Sequence, residues 1–206
     1  MRVDLGGAII TLIIILVSMV LHELSHGVVA YWLGDKTAKN DGRLTLNPLK
    51  HLDPYMSVLL PMMLYFMNAP VFGGAKPVPV NSRNLKGKEW GMALVALAGP
   101  FMNFLLAFVG FLVFRFGGYG DIAARVVSIN LGFMIFNLLP IVPLDGSRIL
   151  YAIAPDSVRR FLDSMEVFGV FVVYVLILVA GNLFSNIMIG AMNGVLDFFV
   201  MITGGQ

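Results

Sequence analysis

His22-Glu23-Leu24-Ser25-His26 is an H-E-x-x-H motif set inside an apolar run that extends from Leu5 to Leu33. Such a run, with almost no polar residues apart from Ser18 and the motif itself, is long enough to cross a bilayer as a helix. At 100° per residue His22 and His26 lie one turn apart on nearly the same face, so two imidazoles can address one metal while Glu23 projects beside them. In a soluble chain two surface histidines around a solvated glutamate would be an ordinary alternative. At membrane depth lipid solvates none of these groups, and a metal site does.

The composition agrees. Of 206 residues, 58% are hydrophobic and 13% charged, and mean hydropathy is +0.86. That is too apolar for a soluble domain of this size. The expected architecture is a polytopic α-helical membrane protein, a single integral-membrane domain over 1–206, with a metal-site core over about 5–150 and C-terminal helices over about 160–202. A scattered net charge of +2 points to no nucleic-acid partner. With no cysteine present, disulfides and thiolate ligands are both excluded, and any zinc site must be built from His, Asp, Glu and water.

Five apolar runs are suited to spanning: 5–33, 91–114, 122–139, 167–180 and 183–202. A sixth, 56–72, is at the lower limit for crossing and is interrupted by Pro61. Short alternating patterns at 37–47 and 75–81, with turn residues at Asn40-Asp41-Gly42 and Gly73-Gly74, suggest a small sheet or hairpin at the membrane surface. The prolines at 77 and 79 leave one edge of the second stretch able to pair. It reads either as a strand that receives an extended substrate or as a plain surface turn.

A zinc ion held by two histidines needs a third protein ligand and an open position for water. Asp145 is the candidate. It follows the run at 122–139 through Asn137-Leu138-Leu139-Pro140-Ile141-Val142-Pro143-Leu144, where two prolines break the helix, and Gly146 frees the backbone behind it. Unwound backbone at membrane depth is tolerated where it lines a cavity. The alternative is a helix end with a capping aspartate. His51, the remaining one of three histidines, sits among turn formers and reads as a surface or supporting residue rather than a fourth ligand.

With these motifs the chain resembles the site-2 proteases, the zinc-dependent intramembrane metalloproteases, in their small bacterial and archaeal form without appended domains. The resemblance rests on His22 to His26, on Asn137 to Gly146 and on Ala98-Gly99-Pro100-Phe101-Met102-Asn103. Asn47 to Pro54 and Gly74 to Asn81 add to it. It implies one Zn2+ per chain held by His22, His26 and Asp145, with Glu23 as general base and later proton donor to the leaving amine. Asn137 is either an oxyanion donor or a helix-packing asparagine, and Asn103 reads as packing. The implied substrate is a transmembrane peptide or membrane protein, and the bilayer is the other partner; oligomeric state is left open.

Other protease chemistries fit less well. Gly118-Tyr119-Gly120-Asp121 matches the G-x-G-D of intramembrane aspartyl proteases but lacks a Tyr-Asp partner, and no G-x-S-G is present. A catalytically inactive metal-binding scaffold or a metal transporter is the non-protease alternative. Glu23 discriminates, because neither needs a non-ligand carboxylate beside two helical histidines.

One zinc can meet all three ligands only if the first run and the run at 122–139 exit on the same side, so 56–72 is expected to re-enter or lie on the surface. Loops 34–90 and 145–166 then hold eleven of the fourteen Lys and Arg residues. By the positive-inside rule the site of this multi-pass cell-membrane protein opens toward the cytoplasm, the N-terminus lies outside and, with five spans, the C-terminus lies in the cytoplasm.

Overall fold

A computed structural model describes residues 5–67 and 74–204. Its regular elements are helical: α1 (Leu5–Trp32), α2 (Thr37–Asn40), a 3-10 turn (Pro48–Lys50), a π-helical stretch (Pro54–Leu59) that runs into α3 (Leu60–Phe66), a second 3-10 turn (Ser82–Asn84), α4 (Lys88–Phe116), α5 (Gly120–Leu138), α6 (Asp145–Ile153), α7 (Asp156–Glu166) and α8 (Val170–Ile202).

The expected surface sheet is absent among the described residues. Residues 37–40 form a helical turn, and 74–81 has no regular structure and no strand partner among the described residues. Its backbone donors are committed elsewhere. Lys76 N–H goes to the His51 carbonyl at 2.8 Å, Val78 N–H to Glu23 Oε2 at 2.8 Å and Asn81 N–H to Asp35 Oδ2 at 2.6 Å. Pro77 and Pro79 remove the donors of one edge, and on the other edge Lys76 and Val78 have given theirs to the His51 carbonyl and to Glu23, so no ladder forms.

Among the described residues four helices, rather than five, are long and apolar enough to cross a membrane: α1, α4, α5 and the Leu178–Ile202 part of α8. The runs 167–180 and 183–202 are one helix with a kink at Ala180, where φ is −118° and ψ 24°. The Gly181-Asn182 pair between the two runs stays helical. Hydrocarbon offers no partner for freed backbone groups, so a broken turn there would cost more than a bent helix. An even number of crossings returns a chain to the side on which it began.

Across the expected sixth run, residues 68–72 lie outside the described residues. The described part is a helix over 54–66, opened by Pro54 and capped by Asp53, whose carboxylate accepts from Tyr55 N–H and Met56 N–H. At 1.5 Å per residue it is roughly 20 Å long, short of the ~30 Å hydrocarbon layer. Gly74 N–H reaches back to the Met56 carbonyl at 3.1 Å, and Ser57 Oγ donates to the Gly74 carbonyl at 2.7 Å. The chain therefore returns to the point from which this helix departs.

Helix α4 is the centre, packed against α1, α5 and α6. It buries Gly91, Ala93, Ala96, Gly99, Ala107 and Gly110, small residues that admit neighbouring backbones closely. Because lipid is as apolar as leucine, such packing and interhelical hydrogen bonds hold the bundle together rather than transfer from water. A second cluster ties α8 to it. Phe199, fully buried, meets Phe104, Phe108 and Phe111 of α4 at ring distances of 5.0–5.5 Å.

Candidate metal centre

The one-turn spacing of His22 and His26 on α1 brings their Nε2 atoms to 3.0 Å of each other. Asp145 Oδ2 completes a triangle, 3.2 Å from His22 Nε2 and 3.4 Å from His26 Nε2. Among the described residues this is the group of ligand-type side chains that could hold a metal ion. His22 lies ten residues before the end of α1 and Gly99 eleven after the start of α4, so the centre sits roughly 15 Å inside the helical ends.

Hydrogen bonding places a proton on Nδ1 of both rings. His26 Nδ1 is 2.7 Å from the Val95 carbonyl, which can only accept, so the proton is on Nδ1. His22 Nδ1 is 2.6 Å from Asn103 Oδ1 and donates to it. Asn103 in turn donates its amide to Asn130 Oδ1 at 2.8 Å, and Asn130 donates to the Val126 carbonyl at 2.9 Å. With Nδ1 of each neutral ring protonated, both Nε2 atoms present lone pairs, and they point at a carboxylate oxygen that has no hydrogen-bond donor of its own. Three acceptors within 3.4 Å repel one another unless a cation lies between them.

The donor set fits zinc. A tetrahedral ion with bonds of ~2.0–2.1 Å separates its ligand atoms by roughly 3.3 Å, and the three edges here are 3.0, 3.2 and 3.4 Å. Two imidazoles and a carboxylate leave a fourth position for water, the arrangement of catalytic rather than structural sites.

Close backbone approach makes the triangle possible. A Cβ on Gly99 would stand 2.4 Å from His26 Nε2 and 2.6 Å from His22 Nε2, so α4 presses bare backbone against the two rings. On the other side α5 ends at Leu138, and a Cβ on Gly146 would stand 2.2 Å from the Leu138 carbonyl and 2.4 Å from that of Leu139. Only glycine lets α6 start this near the end of α5, and that start carries Asp145 in its first turn.

Glu23 is half-buried, and its Oε2 accepts the Val78 N–H at 2.8 Å. Between two prolines that N–H is the single donor of its tripeptide, and it holds the carboxylate rather than a strand partner. Asn137 donates its amide to the Phe133 carbonyl at 2.9 Å, one turn back in its own helix. His51 is fully buried rather than on the surface, donating Nε2–H to the Thr45 carbonyl at 2.8 Å, and it stands apart from the metal group.

The sequence alone reads Asn103 as packing and singles out neither Asn130 nor the Val78 N–H. The signal for the asparagines was their presence in otherwise apolar spans. For Val78 it was the Pro-x-Pro pattern, which leaves one free donor.

Residues 10–120 match the sequence model described as Peptidase family M50. Among relatives, the chain is 40% identical over 180 residues to YwhC of Bacillus subtilis, named as a candidate zinc metalloprotease, covering 81% of this chain and 78% of that one. It is 31% identical over 172 residues to Rip2 of Mycolicibacterium smegmatis, similarly named, covering 79% of this chain and 64% of the relative. Rip2 of Mycobacterium tuberculosis is 31% identical over 174 residues, with 79% and 64% covered. No solved structure matches.

Proposed function

The chain belongs to peptidase family M50, the zinc-dependent intramembrane metalloproteases, and from that premise we propose that His22, His26 and Asp145 hold its zinc ion while Glu23 is the general base of peptide hydrolysis. The observation that carries the assignment is the convergence of three lone-pair atoms at 3.0–3.4 Å, with Glu23 next to His22 in sequence and held by the Val78 N–H. When bound, zinc supplies Lewis acidity, which brings a coordinated water toward neutral pKa and polarises the scissile carbonyl.

The protein's own groups do the rest. Asn103 and the Val95 carbonyl hold the two imidazoles in the tautomer that leaves Nε2 free. Glu23, kept in place by the Val78 N–H, takes the proton of the attacking water as the new C–O bond forms. It passes that proton to the amine nitrogen as the C–N bond breaks. Asn137 serves as oxyanion donor once its amide releases the Phe133 carbonyl, an exchange of one hydrogen bond for another.

The substrates are membrane-spanning segments of other proteins, locally unwound at the cleavage point. A peptide carbonyl within a helix is already bonded and shielded, so unstable helices or the stubs left by an earlier cut are favoured. The helix over 54–66 re-enters the layer from the side on which α1 ends. Loops 34–90 and 145–166 carry eleven of fourteen basic residues, which supports a cytoplasmic face for that side and, with four crossings, an outside position for both ends of the chain. This replaces the cytoplasmic C-terminus expected from five spans.

Zinc content and cleavage of a transmembrane substrate, measured together, test the roles. Glu23→Gln keeps every ligand, so zinc stays bound while cleavage falls at least ~10²-fold. Asp145→Ala leaves two histidines, so zinc and cleavage fall together. A Glu23→Gln protein that still cleaves, or an Asp145→Ala protein with full zinc, would overturn the assignment.

A further inference from the structure

On the side that faces away from the protein, helix α8 carries polar and small residues among exposed Val179, Leu183 and Met201. Its packed side, including Met188, Met192, Val195 and Phe199, lies against α4 and α5. At 100° per residue Asn182, Asn186, Gly190, Asn193, Gly194 and Asp197 fall within a sector of roughly 120° on the opposite side. All six are exposed. A Cβ on Gly190 or Gly194 meets nothing within 4 Å, and none of the three amides has a hydrogen bond to another described residue. Asn193 lies nine residues before Ile202, roughly 14 Å from the helix end and so near the middle of the ~30 Å hydrocarbon layer. Hydrocarbon offers an amide neither donor nor acceptor, and polar residues of spanning helices therefore face protein or water.

We infer that this stripe is the contact face for a second copy of the chain. Charge and shape both select that occupant. Residues 167–196 contain no Asp, Glu, Lys or Arg, so this stretch carries no charge that would recognise a charged helix. Asparagine is donor and acceptor at once, and two copies of Asn193 related by a two-fold axis bond each other reciprocally. Gly190 and Gly194, one turn apart, let the two backbones close on that pair. Asp197 lies five residues from the helix end, roughly 8 Å, near the headgroup layer, where two carboxylates stay hydrated. The association uses the face of α8 turned away from the catalytic bundle and does not depend on the protease reading.

The test is energy transfer between differently labelled copies in liposomes at high lipid dilution. The full chain has no cysteine, so Lys50→Cys on the exposed 3-10 turn carries the label. Transfer above that of randomly mixed monomers is expected. Asn193→Leu, which keeps the branching at Cγ and removes the amide, should weaken association at least ~5-fold, and Gly190→Leu with Gly194→Leu should abolish it. Unchanged zinc content shows that these variants are folded, and the open space at both glycines admits the new side chains. Transfer no higher than random in the parent protein, or unaltered transfer in the glycine variants, overturns the inference. Glycine variants that still associate but no longer cleave a transmembrane substrate would assign the face to the substrate helix instead.

Discussion

Asn103 accepts the Nδ1 proton of His22 at 2.6 Å, so a residue on α4 decides which nitrogen of a residue on α1 is free for the metal. The same amide is oriented by Asn130 on α5. Three spanning helices thus share responsibility for one imidazole.

Replacing that acceptor should loosen the metal without touching a ligand. Asn103→Leu removes the bond to His22 and strands Asn130, and zinc affinity should fall ~10–100-fold in a metal-buffer titration. Asn103→Asp retains the acceptor and should bind zinc more tightly than the leucine variant. Equal affinity of all three proteins would remove Asn103 from the support of the site.

Gly99 makes a steric prediction. Its Cβ would stand 2.4 Å from His26 Nε2, so Gly99→Ala must push α4 away or turn a ring aside. Zinc per protein is expected to drop by an order of magnitude or more, whereas Gly132→Ala, where a Cβ meets nothing within 4 Å, should bind normally. A fully loaded Gly99→Ala protein would mean that the rings have slack that the packing denies.

At Val78 the backbone, rather than the side chain, matters. Val78→Pro deletes the N–H that holds Glu23, and a hydrogen bond to a charged group is worth ~1.5–3 kcal/mol. Cleavage should decline about tenfold or more with zinc content unchanged, while Val78→Ala, which keeps the N–H, stays within a few-fold of the parent. The idea fails if the proline and alanine variants cleave at the same rate.

Asp35 ties the end of α1 to the 81–84 turn and carries a pH prediction. It accepts from Thr37 N–H and hydroxyl at 3.1 and 2.6 Å, from Asn81 N–H at 2.6 Å and from the Asn84 amide at 3.1 Å. Burial would raise its pKa, but these four donors outweigh it and hold the carboxyl below its ordinary 3.8. Its stabilisation is therefore complete above the unfolded-state value and fades as pH falls through 3.8 toward the folded one. Thermal unfolding in detergent should show a melting temperature that drops on acidification below pH 4, and Asp35→Asn should lower the neutral value while blunting that drop. An unchanged acid dependence in the variant would place it elsewhere.

What the sequence determined by itself was whatever local periodicity and solvation impose. Two histidines one turn apart in an apolar helix, and an aspartate between a proline break and a glycine, designate three atoms that the fold brings together. Burial in lipid removes most alternatives for such groups. The C-terminal span count and the surface sheet were not determined in this way. A Gly-Asn pair turns in water yet stays helical where freed backbone has no partner, and an alternating stretch becomes a strand only if its donors remain free. Here Val78 gave its donor to Glu23 and Asn81 gave its own to Asp35. The tertiary structure alone decided those pairings, together with the tautomer set by Asn103. Each depends on which residues distant in sequence stand within 3 Å, and no local pattern records that distance.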